Sequence, residues 1–213
     1  MIKVEIVEKY RLLLETNLNR LIADLEGLSI GKSGQYPFGW RKAAKGRTVW
    51  RLLEELITQN LEKNQTRYGL HTMSPSGSEV SVYDFTCKLT GSDDDIYVNI
   101  KGANVSGDAS KDDISKANEL VKFYAQNPDR NLFIATFLIE FKNDMFVKLV
   151  RCIVMPITWI PDVYVNPSNN GNLQSSKYKD IAKAVKRTNS EFLSVFSEAH
   201  KLALVKKAKN NTQ

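Results

Sequence analysis

The stretch SEVSVYDFTCKLTGSDDDIYVNIKGAN, residues 78–104, predicts two β-strands joined by an acidic turn. In a strand, side chains two residues apart face the same side, while the residue between them faces the other side. Asn99 and Lys101 of the second strand therefore project together, and Ile100 points into the core. We predict that Asp84 of the first strand lies on the same face as Lys101.

The order of elements around this hairpin predicts the fold class. Hydrophobic spacing predicts helices at about residues 6–25, 48–64, 111–126 and 191–207, with Thr48 as a candidate N-cap. The strongly apolar runs at 131–141 and 145–160 predict further strands. We expect a single α/β domain with a mixed central sheet flanked by helices. Its parts are a helical N-terminal part (1–64) with a basic loop (30–47), a sheet core (78–160), a polar loop outside the core (161–188), and a C-terminal helix and tail (189–213).

Composition is typical of a globular protein. Of the 213 residues, 42% are hydrophobic and 25% are charged, which suffices for one domain with a substantial core. No run approaches the roughly eighteen uncharged apolar residues that a membrane span needs. The first residues, MIKVEIVEKY, lack the apolar core of a signal peptide. We therefore expect a cytoplasmic protein with no membrane partner.

Cysteine and histidine are scarce. Cys87 and Cys152 lie inside apolar strand-like runs, and we predict two buried free thiols. With His71 and His200 as the only histidines, zinc fingers and histidine-rich metal hydrolases are excluded. A hydrolytic metal would be held by oxygen ligands, which favours Mg²⁺.

The formal net charge of +6 favours an anionic partner, of which nucleic acid is the commonest. Much of this charge lies in the segment 31–47, which also carries Phe38 and Trp40. Basic side chains there could hold DNA phosphates, and an aromatic side chain could wedge against a base step. Alternatively, this is a surface loop whose aromatic residues anchor it to the body. The candidates for DNA contact are Lys32, Tyr36, Arg41, Lys42, Lys45 and Arg47.

The opening hairpin also carries a pattern suited to phosphodiester hydrolysis. Such chemistry needs oxygen ligands that hold a metal against the phosphate, and a cation that positions the attacking water. Asp84, the residue at position 99 and Lys101 meet this demand, and the backbone carbonyl of Ile100 can add a ligand. The alternative is a cross-strand ion pair between Asp84 and Lys101 on a solvated face.

Asp84, followed fifteen positions later by Asn99-Ile100-Lys101, resembles the PD-(D/E)xK motif of type II restriction endonucleases, and among them those that cut DNA to blunt ends. Tyr83 occupies the position of the motif's Pro, which is only loosely kept, and Asn99 occupies the position of its second acidic residue. The resemblance implies Mg²⁺-dependent, site-specific hydrolysis of double-stranded DNA to 5′-phosphate ends by a homodimer. It implies that Asp84, Asn99 and Lys101 are catalytic. It further implies that Asp84, Asn99 and the Ile100 carbonyl hold the metal, with help from Glu55 or Glu54 on the second helix, of which we select Glu55.

Asn99 departs from the motif. Its amide offers one oxygen to Mg²⁺ but no negative charge, and metal affinity depends on the number of charged ligands. Either Asn is natural and metal binding is weaker or shared, or Asn replaces an original Asp in an inactive variant. Two other functions remain open: an inactive DNA-binding protein that retains the nuclease fold, and an α/β ligand-binding domain that does not bind nucleic acid.

The segment NPSNNGNLQSS, residues 166–176, is a candidate for base recognition. Asn and Gln side chains suit bidentate contacts to adenine, and Ser can contact several base edges. In the enzymes that this chain resembles, a loop of similar composition before the last helix contacts the bases. The alternative is a disordered surface loop. The candidates are Asn169, Asn170, Asn172, Gln174 and Ser175, together with Asn104 at the end of the second hairpin strand.

Overall fold

The computed structural model describes residues 3–40, 44–78, 81–105, 111–168 and 171–210. The helices in these ranges are α1 (Val4–Leu25), α2 (Ala44–Lys63), α3 (Ala117–Gln126) and α4 (Asn189–Asn210). The strands are β1 (Gly27–Ser29), β2 (Leu70–Pro75), β3 (Phe85–Leu89), β4 (Ile96–Asn104), β5 (Asp112–Lys116), β6 (Asn131–Phe141), β7 (Phe146–Pro156), β8 (Tyr164–Val165) and β9 (Asn172–Ser175).

Six strands form the main sheet, in the order β1-β7-β6-β4-β3-β2. The β4–β6 pair is parallel, whereas the other pairs are antiparallel. The central strand β6 is buried over its first seven residues, as its apolar sequence predicts. The predicted fold class, a mixed α/β domain with a central sheet flanked by helices, is confirmed.

Strand β4 alternates between two environments. Ile96, Val98 and Ile100 are buried in the core on one side. On the other side Tyr97 packs against Phe123 of α3, with ring centroids 5.0 Å apart. Helix α3 therefore covers the beginning of this face of β4, and the face continues into Asn99 and Lys101.

Helix α1 completes the hydrogen bonding of β7 where β1 has ended. β1 pairs only with residues 146–148 of β7. Farther along, the side chain of Asn19 accepts from the Cys152 N–H at 2.9 Å and donates to the Cys152 carbonyl at 2.9 Å. The Glu15 carboxylate accepts from the Val154 N–H at 2.8 Å. The open edge of the sheet is thereby closed by side chains, which limits pairing with other strands.

The prediction that residues 161–188 form a polar loop outside the core is wrong. β8 and β9 in this segment join β5 in a three-stranded antiparallel sheet of order β5-β9-β8. Val165, Leu173 and Tyr178 are buried, so the segment contributes to the core. Its apolar residues are isolated among polar ones, and strand alternation buries them although the average composition is polar.

Two predicted helix starts are also wrong. Residues 112–116 pair with β9 as a strand, and the third helix begins only at Ala117, because tertiary pairing overrides local preference. Helix α2 already includes Ala44, so Thr48 lies inside the helix rather than at its N-cap. Alanine, the strongest helix former, precedes the predicted start. Lys45 and Arg47 therefore belong to the helix and not to the loop.

Other predictions are confirmed. Helices α1 and α4 lie within three residues of the predicted bounds. Cys87 and Cys152 are buried free thiols. Within the described residues, no helix combines the length and apolarity that crossing a membrane requires.

Candidate active site

Asp84 lies immediately before β3 and is fixed by the backbone of β4. Its N–H donates to the Val98 carbonyl at 2.8 Å, and its Oδ2 accepts from the Ile100 N–H at 2.5 Å. In the register of the hairpin, Phe85 pairs with Val98. The carboxylate of Asp84 therefore lies beside the middle of the Asn99-Ile100-Lys101 triplet.

Asn99 and Lys101 face the same side of β4, as predicted, and with Asp84 they line a cleft of about 790 Å³. Asn99 is buried, with 8% of its surface exposed. Its Nδ2 donates to the Val82 carbonyl at 2.9 Å. Its Oδ1 is shielded from solvent and has no hydrogen-bond partner among the described residues. An acceptor without a donor is thus built into the cleft wall.

The carbonyl of Ile100 is directed toward the side of Asp84. In an extended strand, the N–H and the C=O of one residue point to the same side. The Ile100 N–H bonds the Asp84 carboxylate, so the carbonyl of Ile100 leaves β4 on that side as well. The backbone oxygen can therefore join the side-chain oxygens of Asp84 and Asn99 as a cation ligand.

Helix α2 adds Glu54 to the cleft, rather than the predicted Glu55. Glu54 is half-buried and forms an ion pair with Arg51 at 3.4 Å. Glu55 is exposed, accepts from Gln59 Nε2 at 2.6 Å, and lines a neighbouring depression that Glu54 and Asp84 also border. The sequence offered both acids, but only the helix orientation decides between them.

The contact between Trp50 and Gly102 helps to position α2, whose own apolar seam, including Leu53 and Ile57, is buried in the core. Trp50 and Glu54 are four residues apart and share one face of the helix. A Cβ at Gly102 would lie 1.1 Å from Cη2 of the Trp50 ring. The indole therefore occupies the space that any side chain at position 102 would need. This close approach holds the Glu54 face of α2 against β4.

Electrostatics bind Asp84, Glu54 and Lys101 into one group. Burial raises the pKa of Asp84, while the Ile100 N–H and the Lys101 ammonium oppose this shift. Burial, followed by the charge of Asp84, raises the pKa of Glu54. Burial lowers the pKa of Lys101, opposed by the charges of Asp84, Glu54 and Asp113. The face is therefore partly buried rather than freely solvated, which argues against a simple surface ion pair.

The cleft is acidic although the chain as a whole is basic. Among the described residues, five carboxylates line it against three cations, whereas the chain carries a formal charge of +6. Such a cleft attracts cations and repels a bare phosphodiester. The five acids are Glu54, Asp84, Asp112, Asp113 and Glu119, and the three cations are Arg51, Lys101 and Lys116.

The donor set fits an oxygen-seeking divalent cation but is short of charge. Within the described ranges, no group of three or more His, Cys, Asp or Glu side chains is arranged to hold a metal ion. Two carboxylates, Asp84 and Glu54, the unpartnered Oδ1 of Asn99 and the carbonyl of Ile100 are oxygen donors, which suit Mg²⁺. An acid at position 99 would add a third carboxylate to this set.

The basic loop is described only in part. Lys32 and Tyr36 are exposed. Trp40 is anchored: its Nε1 donates to the Lys142 carbonyl at 2.8 Å, and its ring packs against Phe141. Phe38 has 76% of its surface exposed. Outside the described part of the chain lie Arg41 and Lys42, as well as the side chains of Lys45 and Arg47.

The residues predicted to contact bases are divided by strand β9. Asn172 and Gln174 share its outer face, where their amide nitrogens donate to the Asp113 carboxylate at 2.8 and 2.7 Å. Ser175 faces inward, is buried and donates to the Asp162 carboxylate. Asn104 is exposed at the end of β4. Asn169 and Asn170 lie outside the described residues.

No model of a known protein family matches the sequence, and no curated protein matches it. Among solved structures, the chain is similar to one described as NlaIV restriction endonuclease. The identity is 12%, the match covers 76% of this chain and 74% of that chain, and the TM-score is 0.43. Likeness at this level does not assign a family or an activity.

Substitution of Gly102 tests the contact that positions α2. Gly102→Ala should lower the free energy of unfolding by about 1–3 kcal/mol, because the new methyl group overlaps the indole of Trp50. Thermal denaturation measures the loss. Gly77→Ala is the matched control, since nothing lies within 4 Å of a Cβ there. The double variant Gly102→Ala with Trp50→Ala should be more stable than the summed single effects predict, and strict additivity would contradict the contact.

Substitution of Asp84 tests the cost of its buried charge. Burial raises the pKa of Asp84, so the protonated carboxyl group contributes its full stability at pH values below the unfolded-state pKa. This contribution is lost as the pH rises through the folded-state pKa. Asp84→Asn keeps an acceptor for the Ile100 N–H and should raise Tm at neutral pH by about 2–4 °C. The gain should vanish below about pH 4.

Thermal unfolding in the presence of a chelator, at both pH values, measures this difference. Asp93→Asn, in the exposed turn between β3 and β4, removes the same charge and should give no gain. A lower Tm for Asp84→Asn at neutral pH would show that the ionised carboxylate stabilises the fold.

Proposed function

We propose that this chain is a type II restriction endonuclease that hydrolyses phosphodiester bonds of double-stranded DNA with Mg²⁺, leaving 5′-phosphate and blunt ends. One observation carries the proposal. Asp84, Glu54 and Lys101 converge with the unpartnered oxygen of Asn99 in one cleft. Carboxylates whose pKa is raised, beside a lysine whose pKa is lowered, are common in active sites.

The acidity of the cleft supports the need for a metal. Its carboxylates outnumber its cations, so a phosphodiester could approach closely only after a cation has offset their charge. Asp84, Asn99 Oδ1 and the Ile100 carbonyl would hold this cation, with Glu54 from α2. When bound, Mg²⁺ supplies a Lewis acid that polarises the phosphate and stabilises the leaving 3′ oxygen.

The side chains supply the remaining chemistry. Lys101 donates a hydrogen bond to the attacking water and shares the charge that develops on the phosphate. Glu54 would accept a hydrogen bond from that water while it helps to hold the cation. Asp84 is held by the Ile100 N–H and keeps the oxygen donors in a fixed arrangement.

The DNA contacts follow from exposure and charge. Lys32 and Tyr36, with Arg41, Lys42, Lys45 and Arg47, would hold backbone phosphates and account for a salt-dependent affinity. Asn172 and Gln174 of β9, with Asn104, Asn169 and Asn170, would contact base edges. Ser175 supports β9 through Asp162 instead. A homodimer would place one cleft on each strand of a palindromic site.

A second candidate function is an inactive DNA-binding protein that retains the nuclease fold. The hydrogen bond from Asn99 Nδ2 to the Val82 carbonyl favours it, because an aspartate could not make this bond. In that case asparagine is the residue that this position requires, and the cleft does not need to hold a metal.

The substitution Asn99→Asp separates the two functions. The variant should bind Mg²⁺ about tenfold more tightly or better, since the new carboxylate adds charge to the donor set. It should also cleave supercoiled plasmid DNA faster than the chain with Asn99. Calorimetric titration measures the affinity, and gel electrophoresis measures the cleavage.

The control for this experiment is Gln126→Glu, which adds one negative charge at the exposed end of α3 and keeps an acceptor for Arg130. Salt-sensitive DNA binding by both chains without cleavage would establish the inactive binder. Absence of both DNA binding and cleavage in both chains would rule out the two functions together.

A matched pair on α2 tests the acid that assists the metal. Glu54→Gln should weaken Mn²⁺ binding to the Asn99→Asp variant by about tenfold, because it removes a carboxylate from the cleft. Glu55→Gln makes the same change on the exposed face and should leave the affinity unchanged. Titration of both variants with Mn²⁺ measures the difference in affinity. The reverse outcome would assign the role to Glu55, as the sequence alone predicted.

A further inference from the structure

The outer face of the three-stranded sheet carries a row of polar side chains. In its register, Gln174 of β9 lies between Asp113 of β5 and Tyr164 of β8. Asn172 lies two residues before Gln174, and the ammonium of Lys111 lies 4.3 Å from the centre of the Tyr164 ring. The opposite face is apolar, with Leu173 and Val165 buried. The sheet thus has one face in the core and one face that is polar.

Asp113 engages both carboxamides of this row. Its Oδ2 accepts from Asn172 Nδ2 at 2.8 Å, and its Oδ1 accepts from Gln174 Nε2 at 2.7 Å. An ionised carboxylate accepts hydrogen bonds and donates none. A carboxamide turned with its oxygen toward Asp113 would therefore be repelled. Each carboxamide is held in one of its two orientations, with its oxygen directed away from Asp113.

The oxygen of Asn172 lacks a donor. Its Oδ1 is shielded from solvent and has no hydrogen-bond partner among the described residues. Leaving a buried acceptor unsatisfied costs about 1–3 kcal/mol. A partner that donates an N–H would relieve that cost where it displaces the groups that shield this oxygen.

Strand β5 also places the row next to the catalytic cleft. Asp113 lines the cleft that contains Asp84 and Lys101. The neighbouring Asp112 accepts from the Tyr178 hydroxyl at 3.1 Å and from Lys179 at 3.3 Å, which fixes the strand. A duplex whose backbone lay in the cleft would bring base edges toward Asn172 and Gln174.

We infer that Asp113 is a specificity-determining residue that fixes the carboxamide oxygens of Asn172 and Gln174 as acceptors for exocyclic amino groups of DNA bases. The inference rests on the proposed function. In the major groove, adenine presents its N6 amino group and cytosine its N4 amino group, whereas guanine and thymine present carbonyl oxygens at these places. The fixed orientation presents the oxygens and therefore favours adenine or cytosine over guanine and thymine, while one N–H of each NH₂ group stays available.

The test is Asp113→Asn, which keeps the size of the side chain but can either donate or accept. Both carboxamides can then turn over, so bases with a carbonyl oxygen become acceptable. Binding selection from a randomised duplex library, with Ca²⁺ present to offset the charge of the acidic cleft, gives the preferred sites of both chains. At one or more positions where the original chain requires adenine or cytosine, the preference should fall roughly 5- to 150-fold in the variant.

The control is Asp93→Asn, which removes the same charge in the exposed turn of the β3–β4 hairpin. It should select the same sites as the original chain. The side-chain NH₂ resonances of Asn172 and Gln174 give a readout that is independent of DNA, and they should shift in Asp113→Asn alone.

Each result bears on the inference. Shifted resonances with unchanged site preference would show that Asp113 only stabilises the sheet, which overturns the inference and leaves the proposed function intact. Unchanged resonances would show that the carboxamides are not held by Asp113. If the original chain enriched no site at all, site-specific DNA recognition would fail, and this inference would fail with it.

Discussion

The hydrogen bond from the Ile100 N–H to the Asp84 carboxylate ties the first acid to the strand that carries the rest of the site. This bond exists only in the observed register of β3 and β4, which the burial of Val98 and Ile100 specifies. A slip of one residue would send Ile100 to the cleft and Asn99 and Lys101 into the core. The geometry of the candidate site is therefore a consequence of hydrophobic alternation, and α2 and β5 are assembled around it.

Charges inside this cleft oppose folding. Burial raises the pKa of Asp84 and Glu54 and lowers that of Lys101, so each is held partly against its preferred ionisation. A cluster selected for stability alone would not place carboxylates so close together. The extensive apolar core of β4 and β6 tolerates this cost. Stability alone thus does not explain the cluster.

The sequence predicted those parts of the site that depend on local periodicity. Asn99 and Lys101 share a face because strands alternate, and this needs only the hairpin. Glu54 could not be chosen over Glu55, because only tertiary contacts, among them that of Trp50 with Gly102, show which side of α2 enters the cleft. The sequence shows Gly102 directly after Lys101 and Trp50 four residues before Glu54. It does not show that Gly102 and Trp50 are in contact. Glu54 and Glu55 have the same helix propensity, so local sequence does not distinguish them. Tertiary packing places Glu54 in the cleft and Glu55 on the exposed side.

The second sheet was likewise not predicted, because it depends on tertiary pairing rather than on local propensity. Residues 112–116 favour a helix locally, yet they pair with a strand some sixty positions later in the chain. Polar composition likewise concealed β9, in which only Leu173 and Ser175 face the core. The role of Asp113 follows from this long-range pairing alone, because its two partners are distant in sequence and adjacent in register.

Asn99 provides a hydrogen-bond donor and an acceptor at one position, whereas an ionised aspartate provides acceptors only. Its Nδ2 donates to the Val82 carbonyl, which steadies the segment leading into Asp84, and its Oδ1 lines the cleft. A carboxylate could supply the oxygen but would face the Val82 carbonyl without a proton, beside two other acids. A bound cation would then have to offset the repulsion, so folding of the hairpin would be coupled to metal binding. With asparagine, the Val82 carbonyl receives its hydrogen bond without metal, and only the neutral Oδ1 lacks a partner among the described residues. The residue at this one position therefore decides whether the cleft is stable on its own or only together with its cation.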